Sequence, residues 1–497
     1  MSAPLAIHSL QNWRDRPLAA KVRRMRFPSL ARLPPHLARL GLGLLALAAC
    51  DKIRALPGVE PKSRALVSAE PSIALGPWLL EPAATQMTVA WVTSAPSPGR
   101  VWYGTAEPDR LAQEGGVPAI DHRVVIGSLK PGTRYHFRVE GAVPADGSFS
   151  TAPLPDQPFD VLVYGDNRTN SGDHALVVRA AAAERTQLAL HTGDMVVNAS
   201  DERLWKTWFA EERDLLSTTP LVPTVGNHEI TDQGVAYTRW FQRKELPPYR
   251  SIDYGPLHIV VLDSFEMAAG ATPRLGGISE AQRAWLEEDL RSVGKDRHVW
   301  VLVHQGPYAH PMHMRPGHGG SEAVKQALAA AAKIHPLEVV FAGHEHFYER
   351  GEIDGLRYFV FGGGGAPLEE PDPTFPGVQI AQKALSYAVV QVCGCHVAGK
   401  VKDIAAHVID SFRLADCDTP CGPFAGNPAA VSRVSAPASN RTAVARVAPE
   451  AASSAEDEAD GGANGSKHRR RRHRRPRQDR AGGAAPKSAT DAGVPGP

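Results

Sequence analysis

Five short apolar runs, each ending in a side chain able to hold a cation, constrain this 497-residue chain more than any other feature. Phe159 to Tyr164 leads to Gly165-Asp166, Leu188 to His191 to Gly193-Asp194, and Leu221 to Val225 to Gly226-Asn227-His228-Glu229. Val299 to Val303 leads to His304, and Val339 to Phe341 to Gly343-His344-Glu345-His346. Runs this short and apolar read as buried strands, and an open α/β sheet binds its ligands at the carboxyl ends of its strands. All five polar groups are therefore expected on one edge. Glycine ahead of four of them lets the backbone turn sharply there.

Carboxylate, amide oxygen and imidazole, with no cysteine among them, suit hard or borderline cations. Two such ions about 3.5–4 Å apart, bridged by one aspartate, can share a nucleophile and hold a phosphoryl group for in-line attack.

The texture of the chain divides around these motifs. Residues 50–72 read as a tether with Pro57, Pro61 and Pro71 and no periodic apolar face. Met87 to Val92, Arg100 to Tyr103, Val124 to Ile126 and Tyr135 to Val139 read as short strands between turn-rich stretches, which implies a small β-sandwich over 73–153. From Phe159 apolar strands alternate with helical stretches, one opened by the capping signature Ser279-Glu280-Ala281-Gln282, so 159–415 is expected to be an α/β domain. The tail 425–497 is too polar and too rich in Ala and Gly to build a core.

The formal charge of +2 conceals an uneven distribution, because a Lys and eight Arg crowd Lys467 to Arg480. The folded middle is acidic to neutral, which argues against nucleic acid as its main ligand. At the other end, Arg26, Arg32 and Arg39 precede the ten-residue apolar run Leu40 to Ala49, with Cys50 next. Ten residues cannot span a bilayer as a helix, so 1–49 reads as a signal segment. Leu47-Ala48-Ala49-Cys50 resembles the bacterial lipobox, which implies acylation of Cys50 and an exported, membrane-anchored protein. Oxidising surroundings favour disulfides over zinc for Cys393, Cys395, Cys417 and Cys421, in a pairing the spacing does not reveal.

The five motifs in this order resemble the calcineurin-like metallophosphoesterase superfamily. Gly343-His344-Glu345-His346-Phe347-Tyr348-Glu349-Arg350, Tyr254-Gly255-Pro256-Leu257-His258 and the sandwich placed ahead of the motifs are similar to its purple acid phosphatase-like branch. Leu129-Lys130-Pro131-Gly132-Thr133-Arg134-Tyr135 resembles a fibronectin type III-like turn and strand. The resemblance covers Pro71 to Val392 and implies a two-sheet α/β sandwich flanked by helices, with a dinuclear Fe, Zn or Mn site that hydrolyses small phosphate esters. Phosphodiesters or nucleotides are alternative substrates, and a catalytically weak surface-binding lipoprotein is the alternative from another class.

Carried over residue by residue, the resemblance makes Asp166 and His346 ligands of a first ion, Asp194 the bridge, and Asn227, His304 and His344 ligands of a second. It also makes His228 the group that protonates the leaving oxygen or steadies the phosphate, and His313, in a loop with His310 and His318, a substrate-side histidine. Glu229 and Glu345 read as supports behind the ligands. Two positions depart from the pattern. Arg168 stands where the superfamily often has a ligand histidine, and Val197 where the branch has its tyrosine. A guanidinium does not bind a cation, so Arg168 is expected to clamp substrate phosphate.

Overall fold

The computed structural model describes residues 71–242, 247–265 and 277–417. The signal segment 1–49, Cys50 and most of the 50–72 tether, Cys421 and the 425–497 tail lie outside the described residues.

Seven strands come first: β1 (Ile73–Leu80), β2 (Met87–Ser97), β3 (Arg100–Gly104), β4 (Arg110–Gln113), β5 (Ala119–Ile126), β6 (Arg134–Val139) and β7 (Ala145–Ser150). They form an antiparallel sheet ordered β1-β2-β5 and another ordered β4-β3-β6-β7. Exposed and buried residues alternate along β6, turning Tyr135, Phe137 and Val139 inward against Trp91, Val101 and Ile126.

Two larger sheets follow. The first is ordered β10-β9-β8-β18-β19-β20 and is built from β8 (Phe159–Tyr164), β9 (Leu188–His191), β10 (Leu221–Pro223), β18 (Ser386–Cys393), β19 (His396–Asp403) and β20 (Val408–Ala415). The second is ordered β11-β12-β13-β14-β16-β15-β17 and uses β11 (Arg250–Tyr254), β12 (Leu257–Val261), β13 (His298–Leu302), β14 (Val339–Ala342), β15 (Tyr348–Ile353), β16 (Leu356–Phe361) and β17 (Val378–Gln382). Strands β8, β9 and β10 run parallel, as do β12, β13, β14 and β16, and β8, β9, β10, β13 and β14 carry the ligand motifs after their ends.

The central parallel strands are almost wholly apolar because both their faces are covered. Val161, Val163, Leu188 and Leu190 pack inward between the sheets against Ile259, Trp300, Leu302 and Phe341. Leu162 and Tyr164 face outward into a core shared with α1 (Ser171–Ala183) and α2 (Glu202–Glu211). The short α3 (Arg213–Leu216) and α4 (Val235–Phe241) join that face, while α5 (Glu280–Ser292) and α6 (Glu322–Ala331) cover the second sheet. Ser279 caps α5 by accepting from Gln282 N at 3.1 Å. The Gln282 amide instead pairs with the Asp263 backbone, through Oε1 at 2.8 Å and Nε2 at 2.9 Å, and so fixes the helix to the end of β12.

The small sandwich shares a core with its neighbour. Trp78 of β1 packs on Phe209 with ring centroids 4.6 Å apart, and its Nε1 donates to Trp240 O at 3.1 Å. Beside it, Arg239 donates to Asp121 at 2.8 Å and Arg123 donates to Arg239 O at 2.9 Å. Near the end of the described chain Cys395 is disulfide-bonded to Cys417, and Cys393 is disulfide-bonded too.

A buried charge cluster sits under α1. His174 Nδ1 donates to Glu211 at 2.6 Å and Nε2 to Glu212 at 2.8 Å, with Tyr164 OH on the other Glu212 oxygen at 2.9 Å. Burial lowers the His174 imidazole, but its hydrogen bonds to the two carboxylates outweigh this and push it up to about 9. A raised histidine stabilises fully below its unfolded value of 6.5 and loses that contribution as pH climbs through 9. Denaturant unfolding should therefore show the protein losing on the order of 1–3 kcal/mol more stability than His174→Gln between those pH values. Parallel stability curves for the two proteins would refute the pairing.

Candidate metal centre

The ligand motifs turn where two sheets end side by side. After β8 the chain enters the left-handed region at Asp166 (φ 57°), after β9 at Gly193 (φ 96°) and Asp194 (φ 55°), and after β14 at His344 (φ 74°). L-residues pay for that conformation, which is held here by surrounding hydrogen bonds. His344 N donates to both Asp166 oxygens at 3.0 and 3.1 Å, and His228 N donates to Asp194 Oδ1 at 3.1 Å. Of the four glycines ahead of the motifs only Gly193 is itself left-handed, and others are needed for room. A Cβ on Gly226 would collide with the Asp194 carboxylate, and one on Gly343 with the Asp166 carboxylate.

Behind the turns lies Glu229, fully buried. Its Oε2 accepts from Asp194 N at 2.8 Å and Gly226 N at 2.9 Å, and its Oε1 from Met195 N at 2.8 Å. One carboxylate thus ties the second motif to the third. Burial, then Asp194, pushes its pKa up to about 7.

Four imidazoles converge on this backbone, and each uses one nitrogen on a carbonyl. His304 Nδ1 donates to Thr192 O at 2.6 Å, His344 Nε2 to Gly317 O at 3.0 Å, His346 Nδ1 to Pro367 O at 2.9 Å and His228 Nδ1 to Val197 O at 2.7 Å. Such a bond fixes the tautomer and aims the other nitrogen. His304 Nε2 lies 3.4 Å from Asp194 Oδ1 and 3.2 Å from Asn227 Oδ1, and His344 Nδ1 lies 3.1 Å from the same amide oxygen. His346 Nε2 is 3.8 Å from Asp166 Oδ1, and His228 Nε2 is 3.8 Å from Asp194 Oδ2.

The electrostatics are those of a site short of positive charge. Burial, then Asp194, drives Asp166 well up; Asp194 resists its own burial because His304 and His228 hold it well down. Burial lowers His304, yet Asp194 and Asp166 push it up to about 9. His344 falls to about 4 through burial and then His304, and His346 to about 3 through burial and then Arg168. Neutral imidazoles are the ligand form.

The donor set fits a cation unevenly. Asp194, Asn227, His304 and His344 close on one another as nitrogen and oxygen donors, and Asp166, Asp194 and His304 bring donor atoms within 4.8 Å of one another. On the other side the Arg168 guanidinium intervenes, with Nε 3.2 Å from Asp194 Oδ2 and Nη2 3.2 Å from His346 Nε2.

The structure places the expected residues unequally. Asp166, Asp194, Asn227, His304, His344, His346, His228 and Arg168 come together. His313 is exposed, and among the described residues it makes no hydrogen bond or ion pair to the cluster. His318 takes the nearer place, stacked on His344 at 5.3 Å with Nδ1 3.1 Å from Glu345 Oε1. The signal for it was the glycine pair around it. Gly317 (φ 84°) and Gly319 (φ 82°) fold the loop back, and Gly319 N donates to Glu345 at 2.6 Å. His310 turns away to Glu349 at 2.8 Å and Phe375.

Two sheets of this order with ligands at their parallel ends define a metallophosphoesterase fold behind a separate β-sandwich. Comparison with known proteins is more specific. Residues 159–348 match the profile of the calcineurin-like phosphoesterase family, and 78–151 match that of the purple acid phosphatase N-terminal domain. The chain therefore carries, in this order, a segment similar to the purple acid phosphatase N-terminal domain and one similar to calcineurin-like phosphoesterases. Purple acid phosphatase 21 of Arabidopsis thaliana is 30% identical over 49% of this chain and 58% of its own length. Purple acid phosphatase 23 of the same plant is 25% identical over 59% of this chain and 79% of its own. A phosphoenolpyruvate phosphatase of Allium cepa is 26% identical over 58% of this chain and 64% of its own. The chain thus spans little more than half the length of the first of these relatives. Among solved structures, the purple acid phosphatase PPD1 of yellow lupin superposes with a TM-score of 0.58 at 17% identity, covering 68% of this chain and 74% of its own. The structure of PhoD gives 0.55 at 15% identity, covering 69% and 93%.

The Glu229 arrangement makes a prediction of its own. Glu229→Gln turns an NH2 group toward backbone donors, leaving buried N–H groups facing another donor at a cost of about 1–3 kcal/mol. Calorimetric melting should show that loss, and metal titration a weakened site; an unchanged melting curve would refute the role.

Proposed function

We propose that the chain hydrolyses phosphate esters with bound metal, favouring phosphomonoesters. The observation that carries this reading is the set of four imidazoles, each fixed on a carbonyl and aimed at two buried carboxylates and Asn227. Asp194, Asn227, His304 and His344 would hold the cation, with Asp166 and His346 beyond them. When bound there, Fe, Zn or Mn supplies Lewis acidity, drawing charge from phosphoryl oxygens and acidifying water.

The rest of the chemistry falls to the chain itself. With Nδ1 engaged by Val197 O, His228 presents Nε2 at the partly exposed edge of the cluster, where as the doubly protonated imidazolium it can pass the Nε2 proton to the departing oxygen. The relatives named as purple acid phosphatases and as a phosphoenolpyruvate phosphatase support small phosphorylated substrates for this chain as well.

Metal-replete protein should cleave an aryl phosphate monoester faster than the matching diester. Asp194→Ala should lose bound metal, whereas His228→Ala should keep it and lose roughly a hundredfold in kcat. Absence of hydrolysis by metal-replete protein would sink the reading, and metal loss in the His228 variant would make that residue a ligand.

The same proposal places the protein outside the cytoplasm, anchored through an acylated Cys50, on the strength of the apolar run ahead of that cysteine. Cys50→Ala should then move the protein from the membrane fraction to the soluble fraction with its specific activity unchanged. Continued membrane association of that variant would refute the anchor.

A further inference from the structure

The two halves of the centre differ in what fills them. On the Asn227 side, the facing donor pairs His304–Asp194, His304–Asn227 and His344–Asn227 lie 3.1 to 3.4 Å apart. On the Asp166 side, the atoms that would close on a first ion already have a cationic neighbour. Asp194 Oδ2 has Arg168 Nε at 3.2 Å, and His346 Nε2 has Arg168 Nη2 at 3.2 Å. An ion must approach nitrogen and oxygen donors to about 2.0–2.2 Å, and a guanidinium set against those same two atoms occupies the approach.

Three further observations agree. The Arg168 side chain is only 10% exposed, so it is packed into the centre, and its Nη1 donates to Thr169 Oγ1 at 3.2 Å. Donors are also scarce on this side. Arg168 and Val197 stand where the superfamily pattern supplies ligands, leaving Asp166 and His346 beside the shared Asp194. Charge is the third. Asp166 and Asp194 are both buried, and a guanidinium that never loses its proton supplies a permanent positive charge against them.

We propose that this is a one-ion centre, in which the Arg168 guanidinium stands where two-ion members of the superfamily hold their first cation. The inference rests on reading the cluster as a metal site and departs from a dinuclear one. Arginine neutralises the carboxylates and offers a fork of N–H donors to a phosphoryl oxygen, but it ligates nothing and no chelator removes it. A single ion, on Asp194, Asn227, His304 and His344, is the exchangeable charge.

Metal counting tests this without reference to turnover. The full chain, stripped and titrated with Mn(II) or Zn(II), should saturate at about one ion per chain by elemental analysis, and with Mn(II) should give the paramagnetic resonance of an isolated ion. Arg168→His, which restores a donor, and Arg168→Gly, which empties the space, should each raise the count to about two, with the broadened signal of a coupled Mn pair. Two ions bound by the wild-type protein would overturn the proposal. So would a count that stays at one in both folded variants, since arginine would then not be what excludes the second ion. One ion with no hydrolysis would leave this inference standing and remove the hydrolytic reading; no ion at all would remove both.

Discussion

The centre depends on one buried carboxylate that touches no ligand atom. Glu229 accepts from the N–H groups of Gly226, Asp194 and Met195, so the turns after β9 and β10 are held as one piece. Asp194 can keep its left-handed backbone only because that network over-determines it. His228 N is then positioned to donate to Asp194 Oδ1, which orients the carboxylate toward His304. The shape of the site is thus set by backbone N–H groups before any cation is considered.

Much of this was legible in the chain, for physical reasons. Strands buried on both faces must be apolar throughout, so Phe159–Tyr164 and Leu188–His191 stand out at their observed lengths. Glycines beside the carboxylates were equally visible, since Gly226 and Gly343 leave no room for a Cβ. The gathering of the motifs on one edge followed from the strand ends, but which side chains touch one another across that edge was not visible. Nothing near Arg168 in sequence indicates that its guanidinium meets His346, 178 positions away. The choice between His313 and His318 was hidden for a similar reason, because it depends on how Gly317 and Gly319 fold their loop onto Glu345. The three described cysteines are disulfide-bonded, as oxidising surroundings would have them, and the pairing of Cys395 with Cys417 needed the structure.

The buried ionisable groups fall into two kinds. At His174 two carboxylates compensate one imidazole, and the cluster is closed by Tyr164. At the metal centre, carboxylates and imidazoles are gathered without enough positive charge to satisfy them, and Asp166 is driven well up. Uncompensated burial of this kind is costly to the fold and marks places where something else is meant to bind. Both clusters are anchored on β8, one at its Tyr164 and the other just past its end.

The seam between the sandwich and the phosphoesterase domain has a further consequence. Trp78 of β1 and Asp121 of β5 hold Trp240 and Arg239, and these belong to the helix that begins just after the His228–Glu229 turn. The core that stabilises the small sandwich is therefore continuous with the segment bearing the proposed proton donor. Evolution can exchange domains freely only where their junction is wet and loosely packed. This junction is interlocked by the aromatic rings of Trp78, Phe209 and Trp240, so substitutions on its two sides must be accepted together, and the pair should pass through lineages as a single heritable unit.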